Sequence, residues 1–173
     1  IKQIEKLVNE FSDFARMPKP IFQNNDLVEL VNDNIKLLSE LDNSIHISFK
    51  KNIKKIIFNS DKEQLSRVFF NLIKNSIESI HQKSEKVTDF VKNIAIELND
   101  NDNHISLIIE DKGIGFKNLS TNIKDILNPY FTTKINGTGL GLSIVNKIIN
   151  DHNGNIDFIS IEDGAKVKVI FIK

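Results

Sequence analysis

The 173-residue chain reads as an α/β protein, an α+β two-layer sandwich in which helices cover one face of a mixed sheet. Three observations predict this. Segments with an apolar period of three to four alternate with short runs of strand character. Hydrophobic residues make up 40% of the chain, enough for one core at this length. Polar turn clusters, Asn99-Asp-Asn-Asp-Asn103 and Glu162-Asp-Gly164, each separate two apolar runs at hairpin spacing.

The elements follow in order. Ile4, Leu7, Val8, Phe11 and Phe14 recur at three and four, which predicts a helix over 1–16. It starts without a cap, so the chain is expected to be a piece of something longer. Pro18 and Pro20 end that helix. The expected division is 1–20, a helix end and linker, and 21–173, the main domain. Asp26 caps a helix running to about Leu41, with Leu27, Leu30, Val31, Ile35 and Leu38 inward. Residues 45–49 and 56–59 read as short strands. Asp61 caps a long helix whose buried stripe is Leu65, Val68, Phe69, Leu72, Ile73, Ile77 and Ile80. Residues 84–92 read as a loop, and 93–98 with 105–111 as a hairpin. Residues 117–136 lack a clean period and are expected to be a mobile loop. A helix over 141–150 and a hairpin of 156–161 with 165–172 complete the chain.

Composition excludes several classes. The chain has 23 basic and 23 acidic side chains and no net charge, so it carries no electrostatic footprint for nucleic acid or a membrane surface. It contains no cysteine, which removes disulfides and thiolate metal sites and fits a reducing cytosol. No apolar run reaches the roughly 18 residues of a membrane span, and no signal-peptide pattern occurs.

Four short stretches carry chemistry. Asn71 and Asn75 are four apart on the long helix and share one face. Asparagine is a mediocre helix former. The pair is either part of a solvated face or an oxygen-ligand site for a hard cation such as Mg²⁺, which leans on substrate phosphates. Asp111-Lys-Gly-Ile-Gly115 follows a strand. Asp111 either initiates a turn or accepts the exocyclic amine of adenine. Gly113 and Gly115 allow positive φ and a close approach of the purine to the backbone. Phe131-Thr-Thr-Lys134 lies in the aperiodic segment. Phe131 suits an apolar latch, and Lys134 is a phosphate contact or an ordinary exposed lysine. Gly137-Thr-Gly-Leu-Gly141 opens the next helix, where backbone N–H groups favour phosphate. Its spacing is neither the dinucleotide fingerprint nor a P-loop, and no serine/threonine-kinase catalytic loop occurs.

In this order and at these separations, the four stretches resemble the N, G1, F and G2 boxes of the histidine-kinase catalytic domain. That domain belongs to the gyrase, Hsp90, histidine kinase and MutL ATP-binding superfamily. The resemblance covers roughly residues 21–173. Asn9-Glu-Phe-Ser-Asp-Phe-Ala-Arg-Met-Pro-Lys-Pro20 resembles the end of the dimerisation helix in nitrogen-regulation sensor kinases of the NtrY type. The resemblance implies the Bergerat-type ATP-binding fold, a topology that pattern reading alone does not deliver. It implies ATP and Mg²⁺ as cofactors, with Asn75 and Asn71 as catalytic residues and metal ligands. Asp111, Gly113 and Gly115 would hold adenine. Phe131, Thr133 and Lys134 of the lid, with Gly137, Thr138, Gly139, Leu140 and Gly141, would complete the nucleotide site, Phe131 as the latch of the closed lid.

The implied reaction is transfer of the γ-phosphoryl group to a histidine. Hydrolytic members of the superfamily carry a glutamate base where Asn71 stands, and an amide is a poor base. His46, His81, His104 and His152 all read as ordinary solvent-facing residues, so the acceptor is expected upstream of Ile1. The implied partners are the dimerisation and phosphoacceptor domain of the same kinase, a homodimer at full length, and a response regulator. The implied setting is the cytoplasmic part of a membrane-anchored bacterial kinase. Two alternatives stay open: an anti-sigma-type serine/threonine kinase on the same fold, and a non-catalytic nucleotide-binding regulator. One position departs from the pattern. Many family members carry a basic residue three positions after the second asparagine, and here that position is Glu78.

Overall fold

The computed structural model describes residues 12, 17–116, 122–134 and 137–173. The helix expected over 1–16 therefore lies, apart from Ser12, outside the described residues.

Strand β1 (Gln23–Asp26) leads into helix α1 (Leu27–Leu41), then strands β2 (His46–Lys51) and β3 (Ile57–Ser60). Helix α2 (Lys62–Ser84) crosses to strands β4 (Asn93–Asp100) and β5 (His104–Asp111). A short 3₁₀ turn (Ile123–Leu127) precedes helix α3 (Gly141–Asp151) and strands β6 (Gly154–Ser160) and β7 (Ala165–Ile172). The five-stranded sheet has the order β2-β4-β5-β7-β6. Only its β2–β4 pair is parallel, so the sheet is mixed as expected.

Period-two alternation puts one face of that sheet under the helices. Ile94, Ile96 and Leu98 of β4, Ile105, Leu107 and Ile109 of β5, and Val167, Val169 and Phe171 of β7 are all buried. Register stacks them into rows, such as Ile96 opposite Ile109 opposite Val167. The apolar stripes of α1, α2 and α3 close the core from above, with Leu27, Leu65, Ile80, Val145 and Ile148 fully buried.

Both expected N-caps are present. Asp26 Oδ1 accepts from the Val28 N–H at 3.0 Å, and Asp61 Oδ1 accepts from the Gln64 N–H at 3.0 Å. Two features differ from expectation. Gln23-Asn-Asn-Asp26 forms a strand that pairs antiparallel with β3 in a separate two-stranded sheet. It has no apolar alternation to announce it; backbone pairing and the Asn25 Nδ2 bond to the Ser60 carbonyl at 2.7 Å hold it. Within the aperiodic 117–136 segment, Asn122 caps the 3₁₀ turn by accepting from the Lys124 N–H, and Ile126 is buried.

Candidate functional site

The site is built along one polar stripe of α2. Asn71, Asn75, Glu78 and Ser79 succeed one another at spacings of four, three and one, and Ser76 lies beside Asn75. Apolar neighbours on the opposite side fix the rotation of the helix, so this stripe faces the ends of β5 and α3.

At its C-terminal end the stripe meets Asp111. Strand alternation places Asp111 on the same face as Ile109 and Leu107, toward the helices. It is 4% exposed. Its Oδ1 accepts from the Gly113 N–H at 2.9 Å. Burial pushes its carboxyl above the ordinary value, against hydrogen bonds from the Gly113 N–H, the Ser76 hydroxyl, the Ala165 N–H and the Ser79 hydroxyl. Ser79 also accepts from the Ile114 N–H at 3.1 Å. The sequence reading did not single out Ser76 or Ser79. Their signal was available: both are polar residues within about one turn of Asn75, beside the apolar stripe.

The glycines after Asp111 have distinct reasons. Gly115 has φ +66°, a backbone conformation that side-chain-bearing residues rarely adopt. Gly113 needs no positive φ. A Cβ there would meet the Ser79 Oγ at 2.0 Å, so its smallness lets the loop seat against α2.

At the other end, Asn71 donates from Nδ2 to the Arg67 carbonyl at 2.8 Å, one turn back. Its Oδ1 is thereby left outward, and a Cβ added to Gly141 would lie 3.5 Å from it. Asn71 thus faces the first residue of α3. That helix begins without a side-chain cap, so its first N–H groups retain donor capacity. Gly139 has φ +70°, and a Cβ there would strike the Tyr130 backbone. The Tyr130 N–H in turn donates to the Gly139 carbonyl at 3.0 Å. The glycine run is therefore locked to the Pro129–Phe131 segment. Leu140 is fully buried, which leaves its backbone, not its side chain, for any ligand. Phe131 and Thr138 are half-buried, and Thr133 is exposed.

Between the two ends lies Asn75. Its Oδ1 accepts from Lys134 Nζ at 2.8 Å, and the same ammonium pairs with Glu78. The structure thus brings Asn71, Asn75, Asp111, Lys134 and Gly141 onto one helix face and its surroundings. The Asn75 amide supplies a neutral oxygen of the kind a hard cation takes, and in this structure the Lys134 ammonium holds it. Among the described residues no cluster of three histidine or acidic side chains forms a metal cage.

Residues 60–173 match the family described as histidine kinase-, DNA gyrase B- and HSP90-like ATPases. The chain belongs to that family. An NtrY-like sensor histidine kinase of Rickettsia bellii is 34% identical over 164 residues, 95% of this chain and 26% of the relative. The nitrogen regulation protein NtrY of Azorhizobium caulinodans is 30% identical, over 95% of this chain and 21% of the relative. The chain thus spans about a quarter of the length of the curated relatives it matches. Among solved structures, the catalytic domain of the histidine kinase ThkA superposes with a TM-score of 0.73. It is 26% identical and covers 88% of this chain and 96% of its own. These likenesses bear out the expected histidine-kinase-type ATPase fold and the likeness to NtrY-type kinases.

Among the family's histidines in this chain, His46 is exposed at the start of β2 and His104 opens β5. His81 bonds Asp42 at 2.6 Å. His152 corrects the expectation of a solvent-facing residue, being 2% exposed. Its Nδ1 bonds the Ile148 carbonyl at 2.8 Å, and its Nε2 accepts from the Asp61 N–H at 3.0 Å. Those two partners require the neutral tautomer protonated at Nδ1. His152 therefore ties the end of α3 to the start of α2.

Proposed function

We propose that this chain is the ATP-binding catalytic domain of a sensor histidine kinase. It transfers the γ-phosphoryl group of Mg·ATP to a histidine on the kinase's dimerisation helix, for onward transfer to a response regulator. The observation that carries this reading is the placement of Asn71 and Asn75 on one face of α2, toward Gly141 and Lys134, with buried Asp111 at the far end of the same stripe.

Each group has a defined task. Asp111 accepts from the exocyclic amine of adenine; guanine presents an acceptor there and is refused. The uncapped start of α3 donates backbone N–H bonds to phosphate oxygens. Asn75, assisted by Asn71, would hold Mg²⁺, which supplies charge neutralisation between the phosphates. Asn71 cannot take a proton from water at neutral pH, so the site spares ATP until a protein nucleophile arrives. Phosphoryl transfer depends chiefly on positioning and electrostatics. Residues 21–173 act as the catalytic unit and 1–20 as the C-terminal end of the dimerisation helix and its linker. No helix of the described residues is long and apolar enough to cross a membrane. The reading places the unit in the cytoplasmic part of a membrane-anchored bacterial kinase.

The test uses labelled ATP. The chain alone is expected to stay almost unlabelled and to release phosphate slowly. Adding the histidine-bearing dimerisation hairpin of an NtrY-like kinase is expected to place label on that hairpin. Label on His46, His81, His104 or His152, or brisk phosphate release by the chain alone, overturns the reading.

A further inference from the structure

We propose that Glu78 is a positioning residue that parks the Lys134 ammonium on Asn75, so that Mg²⁺ and Lys134 compete for the same amide oxygen. This rests on the site reading above. Lys134 Nζ contacts Asn75 Oδ1 at 2.8 Å and pairs with Glu78, one turn further along α2. The two acceptors lie three residues apart on one helix face, close enough for a single ammonium to bridge them. Backbone bonds fix the segment that delivers it. Thr132 Oγ1 accepts from the Lys134 N–H at 3.1 Å, and the Lys134 carbonyl accepts from the Gly137 N–H at 3.1 Å.

The consequence follows from charge. An ammonium 2.8 Å from the Asn75 oxygen disfavours Mg²⁺ at that same oxygen, because two cations held so close together repel. For Asn75 to hold a metal, Lys134 would have to leave it and Glu78, and its ammonium would then be available to phosphate oxygen. Glu78 is left with Lys74, whose Nζ is 3.8 Å from its other oxygen. Glu78 opposes this exchange by holding Lys134 back. This gives a physical role to Glu78, which stands where the resemblance implies a basic residue in many family members. The acidic residue does not contact phosphate. It sets how much Mg·ATP must supply before Lys134 lets go.

The experiment compares the intact chain with Glu78→Gln, Lys134→Gln and the double variant. Calorimetry measures ATP affinity across a Mg²⁺ titration, and amide exchange follows residues 131–134 without nucleotide. Glu78→Gln is expected to tighten Mg·ATP threefold or more and to lower the Mg²⁺ concentration needed for half-maximal tightening. Exchange at 131–134 is expected to accelerate in either single variant and no further in the double. Lys134→Gln is expected to weaken ATP binding while removing the metal competition. Weaker Mg·ATP binding in Glu78→Gln, or an unchanged Mg²⁺ midpoint, overturns the proposal. So does additive acceleration in the double variant. The Glu78 side chain is 36% exposed, and glutamine keeps its shape while removing the charge. Asp111→Ala serves as the control for the site itself. If that variant retains ATP binding, the site reading fails; if it loses binding while Glu78→Gln behaves like the intact chain, the parking role alone fails.

Discussion

Asp111 combines two demands that conflict. In the proposed site the ligand would need an acceptor at this buried strand end, and burial disfavours the charge that makes it a good one. The raised carboxyl value fixes the sign of the pH effect. The folded state holds this proton at pH values where the unfolded chain, near 3.8, has released it. The group's contribution to stability is therefore full below that value and is lost as pH rises through the folded value. Asp111→Asn cannot ionise and keeps an oxygen for the Gly113 N–H. Its melting temperature is expected to exceed that of the parent chain by a margin that widens from about pH 4 upward and then levels off. Thermal scans across pH check this; a margin that narrows with pH refutes it. Asp111→Ala is expected to weaken ATP binding at least tenfold, since a charge-assisted hydrogen bond contributes about 1.5–3 kcal/mol. Titration calorimetry reads that loss. Asn75→Leu is expected to keep the fold and to abolish the tightening of ATP binding by Mg²⁺. At this scale the motif residues were legible because their types and spacing are unusual for helix and strand. His152 was not: nothing in Asp-His-Asn says that both ring nitrogens find backbone partners inside the fold.

Among the elements, helix boundaries were the most legible. Asp26 and Asp61 announce α1 and α2, and each caps as its position predicts. Strand β1 was not legible because a short polar strand is specified by its partner, not by its own pattern. Strand order was not legible either. The neighbours β5 and β7 are far apart in sequence, and period-two alternation gives a face, not a partner. The aperiodic segment between β5 and α3 is tied down at described points. The Tyr130 N–H donates to Gly139, Lys134 reaches Asn75, and Ile126 is buried beneath the 3₁₀ turn. Nucleotide is expected to add contacts from its γ-phosphate to this segment. Amide exchange between Phe116 and Gly137 should therefore slow on adding a non-hydrolysable ATP analogue, and slow less with ADP. Identical exchange in all three states would count against the segment as a lid.

On the scale of the whole molecule, the sheet-and-helix body has a defined attachment to residues 18–22 before it. Gln64 Nε2 donates to the Pro18 carbonyl at 3.0 Å, the Ile21 N–H donates to Asp61 Oδ2 at 2.8 Å, and the Phe22 ring lies 5.1 Å from that of His152. Asp61 does two jobs with two oxygens. Oδ1 caps α2 and Oδ2 holds the linker, while its own N–H donates to His152. The two jobs are separable. Serine is as good an N-cap as aspartate but has a single oxygen. Asp61→Ser is therefore expected to keep global stability within about 0.5 kcal/mol and to release the linker. Asp61→Ala loses both functions and is expected to cost about 1 kcal/mol or more. Phe22 is 43% exposed and offers a chymotryptic site whose cleavage reports linker release. Cleavage after Phe22 should accelerate in both variants, while denaturant melts separate them. ATP affinity should change in neither, because Asp61 lies more than two helical turns before Asn71 and touches no residue of the stripe that follows it. Equal cleavage rates in the parent chain and Asp61→Ser would show that the linker is held by Gln64 and Phe22 without the carboxylate. In that case the course of the chain into the sheet-and-helix body is not set at the N-cap of α2.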